Sequence, residues 1–292
     1  MKNSSIKSSS RTIFLSVGAM ILGVLFIDIY GIIIKFLGDA YSTNQVVLFR
    51  NLFAIIPLLT LIFYTKENLK IFKKISKKFI VLCFIRGQCF LFMNVFYFIA
   101  INNMDFATAS TLTFSATFFI VILSILFLND KVGIYRWSAV FIGFIGVAMI
   151  MKPTSDVFSY YSIYPVMVGL LYSIAIIIIK FIPKYNSTAK IQFYSLISSI
   201  IGAVVLLGIT LDTKFIQNYR DLLMLVSIGI LGGSAGILFI YAYRLIEASK
   251  LAVFEYLAIP SSFFLGWIFF DETPIDQLFP GVLGIILAGM II

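Results

Sequence analysis

Asp28, Arg50, Arg86 and Glu255 each interrupt a run of otherwise apolar residues. An ionised side chain in hydrocarbon costs several kcal/mol unless it is paired or hydrated, so each is a candidate for binding or gating. On helices rising 1.5 Å per residue, Asp28 and Arg50 lie roughly 11 and 8 Å from one end of the bundle, and Arg86 and Glu255 roughly 10 and 6 Å from the other. Two carboxylate–guanidinium pairs at matched depths suit two chemistries: polar gates above and below a central cavity, or a grip on a zwitterion held between them. Static ties between helices are the structural alternative. The chain has no histidine, which leaves Asp28 and Glu255 as the intramembrane groups able to carry a proton.

Further polar residues fall on helical stripes. Arg86, Asn94 and Tyr97 lie within about 80° of one another at 100° per residue, a face that can line a cavity, while Gln88 points away. Ser227, Ser234 and Tyr241 repeat at a spacing of seven. Gly229, Gly232, Gly233 and Gly236 follow no strand and fit close helix packing rather than a phosphate cradle. Pro260, in the middle of an apolar run, removes a backbone hydrogen bond and is the expected hinge, with Phe118 at the matching place in the first half. Lys35 and Lys180 end their runs and are expected to snorkel to the interface.

The elements that position these residues follow from composition. With 61% apolar and 12% charged residues, the chain lacks the polar surface to cover a soluble globule. A span needs about 20 mostly apolar residues, and such runs occur near 12–35, 45–64, 79–100, 106–128, 134–151, 162–182, 191–210, 222–243, 251–270 and 277–292. The fold expected is all-α integral membrane, with ten spanning helices. The first run is too long for a cleaved signal and is expected to be retained. With the amino end inside, all but six of the 22 lysines and arginines fall on the inner side, including the cluster from Lys66 to Lys78. Both termini are therefore expected on the cytoplasmic side of the inner membrane. The net charge of +9 is accounted for by basic loops facing anionic lipid, without a nucleic-acid partner.

The chain also resembles itself. FYFIAINNMDFATASTLTFSATFFIVILSILFLNDK from Phe96 parallels FIYAYRLIEASKLAVFEYLAIPSSFFLGWIFFDET from Phe239, so that Ala100 meets Ala242 and Asp130 meets Glu272. YGIIIKF likewise echoes SIAIIIIKF, which brings Lys35 onto Lys180. Residues 12–151 and 162–292 are read as two five-helix copies. Five being odd, the second copy enters the membrane from the opposite face. Inverted repeats around a midplane site are a recurring design of secondary transporters.

In order and spacing, LFRNLFA around Arg50, IRG at 85–87, ATAS at 107–110, FLNDK at 127–131, RWSAVFIGFIGVAMIMKP ending at Pro153 and AYRLIEASKLAVFEYLAIP followed by GWIFFDETP resemble the drug/metabolite transporter superfamily with its tandem EamA-type domains. The resemblance covers nearly the whole chain. It implies ten helices in inverted repeats that move a small organic solute, such as an amino acid, nucleoside or cofactor-like metabolite, by alternating access without ATP hydrolysis. Pro260 and Glu272 match the family's pattern. Phe118 stands where a proline is usual, and Asn129 with Asp130 replaces a glycine and a glutamate.

An integral-membrane enzyme acting on a lipid-linked substrate is the alternative. Against it stand the missing histidine, the lack of a metal-ligand cluster, and the position of the Asp271–Glu272 pair in a loop. No catalytic set, metal or cofactor is expected, and the expected partners are a small-molecule substrate and the bilayer. A channel is disfavoured, because charged constrictions usually need symmetry about the membrane normal. Cys83 and Cys89 lie about 9 Å apart along one helix and cannot form a disulfide.

Overall fold

Hydrocarbon offers backbone N–H and C=O groups no hydrogen bonds, so a chain immersed in it closes those bonds within helices. The computed structural model describes residues 10–66, 70–73, 75–128, 133–151, 160–216, 218–251, 254–255, 258–272 and 279–291, and all regular structure among them is helical. In chain order the α-helices are α1 (Ser10–Leu37), α2 (Thr43–Phe53), α3 (Ile55–Thr65), α4 (Lys77–Asn103), α5 (Phe106–Thr113), α6 (Ser115–Leu128) and α7 (Ile134–Met151). They continue with α8 (Ile163–Phe181), α9 (Thr188–Thr210), α10 (Tyr219–Leu245), α11 (Ala248–Leu251), α12 (Ala258–Phe270) and α13 (Gly281–Ile291). Among the described residues, seven helical segments are long and apolar enough to cross a membrane: α1, α2 with α3, α4, α5 with α6, α8, α9 and α10. The protein is a multi-pass membrane protein. Phe14, Phe63, Ile201, Val204 and Trp267 point outward, as lipid-facing side chains do.

Packing runs between distant parts of the chain. α1 lies along α10, α4 along α8 and α9, α10 along α2 and α3, α6 along α8, and α7 along α13. Gly87 makes one close approach possible, because a Cβ there would collide with the backbone of Ser195 on α9. Serines cap the starts of α2, α4 and α9, where Ser42, Ser76 and Ser187 accept from the backbone N–H of Gln45, Phe79 and Lys190.

Two expected spans are interrupted, each for a local reason. α2 gives way to α3 at Ala54. Pro57 follows three residues later and has no N–H for the carbonyl of Phe53. The fourth run breaks at Phe114 without any proline. There Thr111 and Thr113 donate to the carbonyls of Ala107 and Ser110 at 2.7 and 2.6 Å, and such back-bonding hydroxyls bend helices. Pro260 lies within α12, and the two residues that precede this helix are outside the described ones.

Lys35 and Lys180 depart from the snorkelling expectation by turning inward onto the ends of other helices. Lys35 Nζ donates to the carbonyl of Met104 at 3.1 Å, at the C-terminus of α4, and forms an ion pair with Glu272. Lys180 Nζ donates to the carbonyls of Tyr243 and Ile246, at the C-terminus of α10. Helix ends leave carbonyls unpaired, and a cation there also complements the helix dipole. Lys35→Met and Lys180→Met should therefore each destabilise the protein by about 1–3 kcal/mol, whereas the exposed Lys184→Met should change it by less than about 0.5 kcal/mol. Thermal unfolding of the detergent-purified variants measures the difference.

Candidate functional site

A cavity of about 110 Å³ lies within the helical body, lined from α1 by Asp28 and Tyr30, from α2 by Arg50, from α4 by Asn94 and Tyr97, and by Glu255 beyond α11. Phe90, Phe114, Tyr172 and Phe239 supply apolar and aromatic walls. Small-molecule sites usually offer roughly 300–1,000 Å³, so a metabolite has to widen this one on entry.

The two carboxylates are held by hydroxyls. Asp28 is 3% exposed and accepts a hydrogen bond from Ser261 on α12. Glu255 is 5% exposed and accepts from Tyr172 of α8 at 2.8 Å and Tyr243 of α10 at 2.5 Å. Arg50 donates to Asn51 Oδ1 at 3.0 Å and to the carbonyl of Gly232 at 3.2 Å. Gly232 is needed there, because a Cβ would stand 2.9 Å from the guanidinium Nε. Tyr30 donates to Asn94 Oδ1 at 2.9 Å and stacks on Tyr97 with ring centroids 5.8 Å apart. Phenol and hydroxyl donors give a carboxylate short, strong hydrogen bonds. The cavity thus presents two carboxylates and one guanidinium among aromatic rings, an arrangement suited to a charged, ring-bearing solute.

The residues singled out from the sequence divide into three groups. Asp28, Arg50, Asn94, Tyr97 and Glu255 line this cavity together. Arg86 is buried beside it, over the ring of Phe90 and in an adjoining polar pocket shared with Arg50. Tyr241 is 39% exposed and faces away, as does Ser227, whose hydroxyl bonds to the carbonyl of Leu223 on its own helix. Pro260 contributes its backbone to α12.

Neither expected ion pair forms. Asp28 is bound by Ser261 rather than Arg50, and Glu255 by two tyrosines rather than Arg86. The one ion pair among the described residues is Lys35–Glu272, whose carboxylate also accepts from the backbone N–H of Phe106 at 2.6 Å, at the start of α5. Helical rise places residues at the same depth but says nothing of their rotation about the bundle, and these charges face different neighbours. Sequence reasoning missed Tyr30, Tyr172, Tyr243 and Ser261. Tyr243 was findable in principle: two residues from Tyr241, it lies about 200° around the helix, on the face that carries Gly232 and Gly236.

That contrast is measurable. Tyr243→Phe removes a hydrogen bond to a buried carboxylate and should cost about 1.5–3 kcal/mol, whereas Tyr241→Phe should stay within about 0.5 kcal/mol of the parent. Thermal unfolding in one detergent separates the two.

Known proteins share this sequence and fold. Residues 14–152 match the EamA-like transporter family. An S-adenosylmethionine uptake transporter of Rickettsia bellii is 25% identical over 282 residues, covering 97% of this chain and 94% of its own. A riboflavin transporter of Brucella anthropi is 27% identical across 65% of this chain and 68% of its own. A pseudopaline exporter of Pseudomonas aeruginosa is 28% identical across 68% of this chain and 70% of its own. A solved crystal structure shares the fold with a TM-score of 0.72 at 14% identity, over 97% of both chains. These relatives point to a transporter rather than an enzyme. Residues 14–152 thus form an EamA-like transporter domain, and the chain is similar along nearly its whole length to proteins named as transporters of the drug/metabolite transporter superfamily.

Proposed function

We propose that the protein is a secondary transporter that carries a small, charged, ring-bearing metabolite across the cytoplasmic membrane by alternating access. The observation that carries this reading is the central cavity, where Asp28 and Glu255 sit buried among aromatic rings with hydroxyl partners and no ion-pair partner among the described residues. A cation entering the cavity meets two carboxylates whose desolvation is already borne by the fold, and the rings offer stacking and cation–π contacts. S-adenosylmethionine, named for the relatives that align along nearly the full chain, combines a sulfonium, an ammonium and an adenine. It is the solute to try first. We assign Asp28, Arg50, Arg86, Asn94, Tyr97 and Glu255 to substrate binding or gating.

Alternating access is proposed on ten spanning helices in two inverted copies, residues 12–151 and 162–292. In support, packing recurs in exchanged form. α1 against α10 answers α8 against α4, while α7 meets α13. Lys35 bonds to Met104, and its counterpart Lys180 bonds to Ile246, the residue that the internal similarity brings onto Met104. Asp130, the counterpart of Glu272, lies outside the described residues. Both termini are placed in the cytoplasm on the loop charges.

Uptake of labelled S-adenosylmethionine into cells expressing the protein tests the reading. Accumulation above empty-vector cells is expected, with a loss of at least about tenfold in Asp28→Asn and in Glu255→Gln, consistent with removal of a charge contact worth about 1.5–3 kcal/mol. Full uptake by both variants at parental membrane abundance contradicts it.

A further inference from the structure

Beside the cavity lies a second pocket of about 20 Å³ between α2, α4 and α9, whose polar lining is rich in donors. Arg86, 1% exposed, leaves Nε and Nη2 without a hydrogen-bond partner, and Arg50 leaves Nε. The Nδ2 of Asn51 has no acceptor either, and the acceptor oxygen of that amide is taken by Arg50. The hydroxyl of Ser199, also buried, is likewise unpartnered, and that of Ser195 lies beside it in the pocket. No carboxylate lines this pocket. The guanidinium stays protonated in proteins, so two cations share a buried site with no counterion from the described residues. Leaving buried charged donors unmatched is among the costliest arrangements a fold can hold. A compact anion removes that cost: it accepts from both guanidinium groups, the amide and the hydroxyls at once.

We propose that this pocket is an anion-binding subsite for a compact monovalent anion, supplied by the carboxylate of the transported metabolite. Size selects the class. At roughly 10–15 Å³ per water-sized group, the pocket holds one or two such groups, which suits a carboxylate or a halide and not a phosphate ester. Position joins it to the cavity, because Arg50, Phe90 and Gly236 border both. A solute whose cationic end faces Asp28 and Glu255 can extend its carboxylate toward Arg86. The inference rests on the transporter reading for the identity of the anion's bearer. The subsite itself rests on the donors alone, and a free inorganic anion such as chloride shares the same chemistry.

Thermal unfolding of the purified, lipid-reconstituted protein, with three probes, tests the subsite. S-adenosylmethionine should raise the unfolding temperature at a concentration at least about tenfold lower than its decarboxylated form, one charge-assisted contact corresponding to about 1.5–3 kcal/mol. Arg86→Gln should erase that preference, and Arg86→Lys should keep part of it. Sodium chloride titrated against sodium gluconate reads the inorganic source: saturable stabilisation by chloride, absent in Arg86→Gln, supports the subsite with a free ion as occupant. Should Arg86→Gln fail to fold, Ser199→Asp supplies a built-in carboxylate and should lose the response to every added anion. An undiminished anion response in Ser199→Asp, or identical responses of parent and Arg86→Gln, overturns the proposal. Uptake of S-adenosylmethionine by Arg86→Gln with unaltered discrimination against the decarboxylated form overturns the subsite and leaves the transporter reading standing. A chloride response without any uptake by the parent does the reverse.

Discussion

A polar group in hydrocarbon has no water to turn to, and that constraint organises this protein from its backbone to its cavity. Several backbone carbonyls inside the body, at helix ends, at a bend and within a helix, find a side-chain partner. Lys35 reaches the end of α4, and Lys180 reaches the end of α10. Threonine hydroxyls take up carbonyls at the bend before Phe114, and Arg50 takes the carbonyl of Gly232.

The same partners tie the ends of the body to its centre. Tyr243 receives Lys180 at its carbonyl and donates its hydroxyl to Glu255 in the cavity. Glu272 receives Lys35 and also the first N–H of α5, the helix whose serine and threonine residues border the cavity. A change in charge or occupancy near Glu255 is thus one residue removed from the end of α10. Rearrangement at the start of α5 must break or carry along the Lys35–Glu272 pair. Sites and closures built from shared residues are what alternating access requires, since solute binding can then bias which end opens.

Much of the fold was legible in the sequence because membrane helices are written in long runs of one property. The all-helical, multi-pass character and the EamA-like family follow from hydropathy and from motifs such as LFRNLFA and GWIFFDETP. The residues that interrupt those runs were legible as well, and Asp28, Arg50, Asn94, Tyr97 and Glu255 line one cavity. Rotation about each helix was not. A helix apolar on all sides carries no stripe to orient it, so the pairings of Asp28 with Arg50 and of Arg86 with Glu255 were matched by height alone. Tyr241 stood out through its spacing of seven with Ser227 and Ser234, which does not mark the face where Tyr243 meets Glu255. The break at Phe114 escaped notice because hydroxyl back-bonding leaves no mark as plain as a proline, and the inward turn of the two lysines depends on helices 63 to 69 residues away in the chain.

The account's central claim is that one buried cavity communicates with both sides of the membrane in turn. Its most direct test is a single cysteine at Ser110, which lines the cavity and is 3% exposed, introduced after Cys83 and Cys89 are replaced by alanine. A membrane-impermeant thiol reagent is applied to right-side-out and to inside-out vesicles, with and without S-adenosylmethionine. The account predicts labelling from each face, slowed from both by the solute. Labelling from one face alone under every condition contradicts it.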